Sequence, residues 1–173
     1  MAEKATTPFK PRPATSPMTD RALRGFSGYV MKRAFNAIRD DVNAALAPLG
    51  LRMLSFSALA LIADNPARRQ SQLADALGME RPNVVGLVDE LEQAGLITRA
   101  PCPTDRRANA LNTTEAGKQL YARARREVED HEARMTAELT AEERSAFLNA
   151  LRAVETSKGK TEHHDEYGEI PPP

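Results

Sequence analysis

The chain has 173 residues, 41% of them hydrophobic but only 5% aromatic, which suits one compact, helix-rich domain with aliphatic packing and length left for tails. Its 24 Lys and Arg balance 24 Asp and Glu, which excludes a uniformly basic nucleic-acid coat and confines any attraction for phosphate to local patches. A single cysteine, Cys102, excludes a disulfide-stapled fold and fits a reducing cytoplasm, and no apolar run reaches membrane-spanning length.

Residues 1–18 are rich in Pro, Thr, Ser and Lys and are expected to form a disordered arm; they lack the apolar segment of a secretory signal. A long helix is predicted to open at Asp20, with Asp20 or Thr19 as N-cap, and to end near residues 48–50, where Gly50 suits a left-handed position. Its apolar residues, among them Leu23, Phe26, Val30, Phe35, Val42 and Leu46, recur at spacings of three and four but drift around the cylinder. A helix of that length in so small a domain needs a further surface, and a second copy of the chain is the simple source.

A second helix is predicted over residues 55–64, ended by Asn65 and Pro66, and a short third over 70–77. The fourth, over 82–94, starts on Pro82, where a missing N–H costs nothing, and is closed by Gly95. Residues 96–98 begin a strand, 99–108 form a hairpin tip, and 110–112 return. Thr114 caps a fifth helix, and Thr140 with Glu143 makes a capping box for a sixth that ends near Val154. The acidic, Pro-terminated residues 159–173 are expected to be a mobile tail.

Two adjoining stretches carry function. In residues 70–91, Leu73 and Leu77 can face a core, Ala74 is small, Gly78 follows one helical turn later, and Val84, Leu87 and Leu91 give the next helix a buried face. Two crossed helices need that pattern to pack closely, as a helix-turn-helix does when it projects its second helix into a major groove. An ordinary helical hairpin satisfies the same pattern. The hairpin that follows places Arg106 and Arg107 at its tip beside Asp105. A narrow minor groove attracts guanidinium groups, and a neighbouring carboxylate holds an Arg extended. A basic tip directly after a helix-turn-helix favours duplex DNA over a plain surface loop.

The segments LADALGMERPNVVGLVDELEQAGLI and PTDRRANALNTTEAG resemble the MarR family of winged-helix transcription regulators, a likeness that extends over about residues 20–155. The resemblance implies a mainly α fold with a small β-wing. Its parts would be a winged helix-turn-helix DNA-binding lobe over about 52–112 and a helical dimerisation layer from about 19–49 and 114–155, within a domain spanning 19–158. It also implies a homodimer, a cytoplasmic location, and repression by occupying a pseudo-palindromic operator with half-sites roughly 10 base pairs apart. Carried over by position, the recognition helix begins with Arg81, Pro82, Asn83 and Val84, and the wing arginine is Arg107, braced by Asp105. Many members have Thr-Arg where this chain has Val85 and Gly86, so base reading should shift to Asn83 and Arg81, with Arg99 and Arg106 on phosphates.

The same resemblance implies a small aromatic or phenolic effector, and the phrases FSALALIADNP and PTDRRANAL are nearest to members that respond to hydroxycinnamoyl-CoA and related products of aromatic catabolism. Tyr29, Arg33, Met53, Phe56 and His131 are the candidate lining residues; Tyr29 and Arg33 share a helix face and offer an acid a hydroxyl and a cation. The plainer roles are core for Met53 and Phe56, an ion pair for Arg33 and helix surface for His131. Two alternatives to ligand-controlled DNA binding remain open. One is a redox switch at Cys102, near the charge of Arg99 and Arg106; the other is a winged helix used only for protein docking. No catalytic set, cofactor loop or metal motif is visible; His163 and His164 lie in the tail, where ligands are not held in place.

Overall fold

The computed structural model describes residues 19–102 and 105–157, with side chains described except over 102–108. The expected arm over 1–18 and the tail over 159–173, with His163 and His164, lie outside the described residues. The described residues fall into two compact units, divided between Ala37 and Ile38.

In the first unit the backbone carbonyl of Asp20 accepts the N–H groups of Leu23 and Arg24 at 2.9 and 3.1 Å, forming a tight turn over Leu23–Gly25. Phe26 is then extended (φ −100°, ψ 121°), and the first long helix, α1, runs only from Ser27 to Leu46. Asp20 therefore lies too far ahead of Ser27 to cap it, and its carboxylate takes side chains instead. Leu23, Phe26, Val30, Met31 and Phe35 are all exposed.

In the second unit α1 tightens into a turn over Ala47–Leu49, closed by Gly50 at φ 69° as anticipated. Helix α2, Met53–Asp64, starts earlier than expected: Asn43 Oδ1 accepts the Met53 N–H at 2.7 Å and the Ser55 hydroxyl accepts that of Arg52 at 2.9 Å. After Pro66, Ala67 adopts φ 62°, an uncommon conformation for a residue with a Cβ. Its N–H is shared between the Leu111 carbonyl at 3.0 Å and Asn112 Oδ1 at 3.1 Å, which hold it there.

A two-residue strand β1, Arg68–Arg69, follows, then α3, Gln70–Leu77, with the bounds its pattern predicts. Gly78 turns the chain at φ 61° into α4, Arg81–Gln93, and Gly95 at φ 69° turns it into β2, Ile97–Cys102. Strand β3, Asp105–Thr113, returns antiparallel to β2 with Arg99 opposite Leu111, and β1 pairs with its other edge, giving the order β1-β3-β2. The wing is thus longer than expected and three-stranded. Helices α5, Glu115–Met135, and α6, Ala141–Ser157, complete the chain. Their caps are those anticipated: the Thr114 hydroxyl accepts the Gly117 N–H at 3.0 Å, and Thr140 and Glu143 bond reciprocally at 2.9 and 3.2 Å.

The core draws on the end of α1 and on α2, α3, α4, β2, β3 and α5. Leu46, Leu59, Val84, Val88, Leu91, Ile97 and Leu111 are almost wholly enclosed, each worth about 1.5–3 kcal/mol of burial. Helix α6 buries no residue and leaves Phe147 and Val154 exposed. Among the described residues no single helix is long and apolar enough to cross a membrane.

Candidate nucleic-acid interface and acid-binding cluster

Helices α3 and α4 meet through a tight turn in which the Met79 N–H bonds the Ala74 carbonyl at 3.0 Å and the Gly78 N–H that of Asp75 at 3.2 Å. That turn leaves α4 with Val84, Leu87, Val88 and Leu91 in the core and Arg81, Pro82, Asn83, Val85 and Gly86 outward. Arg81 and Asn83 make no side-chain hydrogen bond or ion pair with another described residue, so their donors and acceptors are free for a ligand. Arg81, Pro82 and Val85 line, with Gln70 and Ser71, an open recess of about 460 Å³ at the foot of α3. Val84, expected at the interface, is wholly buried and serves the core instead, because its helix position turns it inward beside Leu87 and Val88.

Arg99 also differs from expectation. Its side chain is only 20% exposed, and its guanidinium bonds the carboxylates of Glu92, at 2.6 Å, and Asp89. The Arg99 N–H also donates to Glu92 Oε1 at 3.2 Å. Residues three apart on a helix share a face, so Asp89 and Glu92 present paired acceptors to β2. Arg99 is thus committed to joining the wing to α4 rather than free for phosphate. By backbone, Asp105, Arg106 and Arg107 begin β3; their side chains, like the Cys102 thiol, lie outside the described residues.

The candidate effector residues divide between the units. In the first, Asp20 collects the Tyr29 hydroxyl and Arg24 Nε, each at 2.9 Å, with Arg33 Nη1 at 3.8 Å. The Arg24 hydrogen bond and then the Tyr29 hydroxyl hold the Asp20 carboxyl below the usual carboxylate range, and Asp20 raises Arg24 in turn. The Arg33 guanidinium also lies 6.0 Å from the Tyr29 ring centre.

In the second unit Met53 and Phe56 are half-buried against the core, and the Phe56 ring meets that of Tyr121 at 5.9 Å and 36°. His131 is 3% exposed rather than a helix-surface residue, with Nδ1 3.1 Å from Asp41 Oδ2. Sequence reasoning missed Asp20, Asp41 and Tyr121 as partners, since each pairing joins residues outside any local motif. Among the described residues no cluster of His, Cys, Asp or Glu could hold a metal ion.

Residues 49–108 match the profile of the MarR family. The chain is 30% identical over 154 residues to a protein of Thauera aromatica described as the transcriptional regulatory protein for the hcr operon, covering 87% of this chain and 93% of that one. Among solved structures, the transcriptional repressor CouR bound to a 23-mer DNA duplex is 37% identical with a TM-score of 0.77, covering 81% of this chain and 99% of that one. CouR bound to p-coumaroyl-CoA is 34% identical with a TM-score of 0.74, covering 80% and 98%.

Proposed function

The chain belongs to the MarR family of transcriptional regulators, a family of regulators rather than enzymes, and from that premise we propose that it is a homodimeric, cytoplasmic repressor that binds a pseudo-palindromic duplex operator. The observation that carries this reading is the division of α4, whose Val84, Leu87, Val88 and Leu91 are locked in the core while Arg81 and Asn83 stand outward and uncommitted. Asn suits an adenine edge, and Arg a guanine edge or a phosphate. The uncovered apolar side chains of residues 23–35 and of α6 support assembly with a second copy. Fluorescence anisotropy with duplexes tiling the region upstream of the protein's own gene tests the proposal. Saturable binding of one palindromic segment by two chains is expected, and equal, weak binding to every duplex would reject it.

The finer reading is that an aromatic acid or its CoA thioester releases the operator. Two features support it: the likeness to CouR, which has been solved with p-coumaroyl-CoA, and the Tyr29 and Arg33 donors. In the same anisotropy assay, p-coumaroyl-CoA or p-coumarate should dissociate the complex. Operator binding that neither compound changes would remove these compounds as effectors while leaving DNA recognition intact.

A further inference from the structure

We propose that Arg24, Tyr29 and Arg33 form a seat for a small oxyanion, a carboxylate or a phosphate, and that Asp20 is the chain's own occupant of that seat, which a ligand must displace. This rests on the reading that Tyr29 and Arg33 serve the effector, and adds to that site a built-in competitor.

Three donors converge on one carboxylate: Arg24 Nε and the Tyr29 hydroxyl at 2.9 Å, with Arg33 Nη1 at 3.8 Å. Among residues 19–37 Asp20 is the sole acid, against Arg21, Arg24, Lys32 and Arg33. Any other oxyanion brought to the same donors therefore meets the same surplus of positive charge. The Arg33 guanidinium also lies over the Tyr29 ring, 6.0 Å from its centre, so these two donors are neighbours.

The exchange costs little locally. The Arg24 and Arg33 side chains are 59% and 56% exposed, so each pairing is solvated and individually weak. The Leu23–Gly25 turn hangs on the Asp20 backbone carbonyl, not on its carboxylate. The side chain can therefore leave without unravelling the backbone beside it. The effector threshold is set by the difference between the ligand's oxyanion and Asp20, rather than by the ligand's contacts alone.

Calorimetric titration of the full chain with three probes tests this. The probes are p-coumarate, which offers a carboxylate; p-coumaroyl-CoA, which offers phosphates and no free carboxylate; and CoA, which offers phosphates without the ring. D20N should bind the probe that carries the seated group about threefold to tenfold tighter than wild type. A gain with p-coumarate alone identifies a carboxylate, and a gain shared by both CoA compounds identifies a phosphate. R33Q in the D20N background should abolish the gain, and D20E, which keeps the competitor, should track the wild type.

If D20N gains nothing with any probe while Y29F or R33Q weakens binding, the competitor is disproved and the Tyr29–Arg33 reading stands. If none of these variants shifts any probe, that reading falls as well. A readout that needs no variant is the ¹³Cγ resonance of Asp20 in the wild-type chain. It should move on saturation with the seated probe, and an unmoved resonance overturns the displacement.

Discussion

A Cβ placed on Gly117 would lie 2.0 Å from the backbone carbonyl oxygen of Leu96. The start of α5 presses against the chain as it leaves α4, where the Thr114 hydroxyl also donates to the Gly95 carbonyl at 2.7 Å. Backbone cannot give way as a flexible side chain would. Gly117→Ala is therefore expected to destabilise the fold by about 1–3 kcal/mol, read as a lowered urea midpoint. An unchanged midpoint would mean that the close approach is not required.

Arg99 makes a sharper test because two roles predict different salt behaviour. As a brace held by Asp89 and Glu92, its loss in Arg99→Met should cost about 1–2 kcal/mol of stability and weaken operator binding, with an unchanged slope of log affinity against log salt. As a phosphate contact, its loss would flatten that slope by about 0.9. Arg107→Ala, at the wing, should show the flattening that Arg99→Met does not.

Asn83 is exposed one position before the fully buried Val84, which fixes the direction in which it points. Asn83→Ala should reduce discrimination at one base pair of each half-site by about 1–3 kcal/mol, with stability nearly unchanged. Competition between operator variants measures this, and an unaltered preference at every position would remove Asn83 as a reader.

Gly86 sits in the interior of α4 with nothing within 4 Å of the place a Cβ would occupy. Gly86→Arg should stabilise the helix by about 0.5–1 kcal/mol, since Gly is among the poorest helix formers. The new cation would lie on the outward face with Arg81, so operator affinity should rise and its salt dependence steepen. Tighter binding without a steeper slope would place residue 86 off the DNA.

Local chemistry made much of the fold readable in advance. Thr114, Thr140 with Glu143, Gly50, Gly78 and Gly95 act within a few residues of themselves, and each marks the boundary its type predicts. Strand β1 was not readable, because two residues carry no period and its partners, Leu111 and Ala110, lie some forty positions away. Asp20 has the residue type of an N-cap, but α1 opens only at Ser27, and the Asp20 carboxylate takes the Arg24 and Tyr29 side chains. The Arg99 pairing had a signal: two acids three apart at the end of α4, just ahead of an Arg on the next strand. His131 had none, because its charged neighbours Asp130 and Glu132 make the stretch look solvated.

Helix α6 carries Phe147 and Val154 exposed, and none of its residues is fully buried against its own chain. If a second copy covers them, mass action governs the helix: the melting temperature should climb with protein concentration, and dilution should fray α6 before the lobe around Leu59 and Leu91 unfolds. Copy number then becomes a control input in its own right. A cell holding few chains would relieve its operators without any effector, because halving the chain reduces the assembled form by more than half.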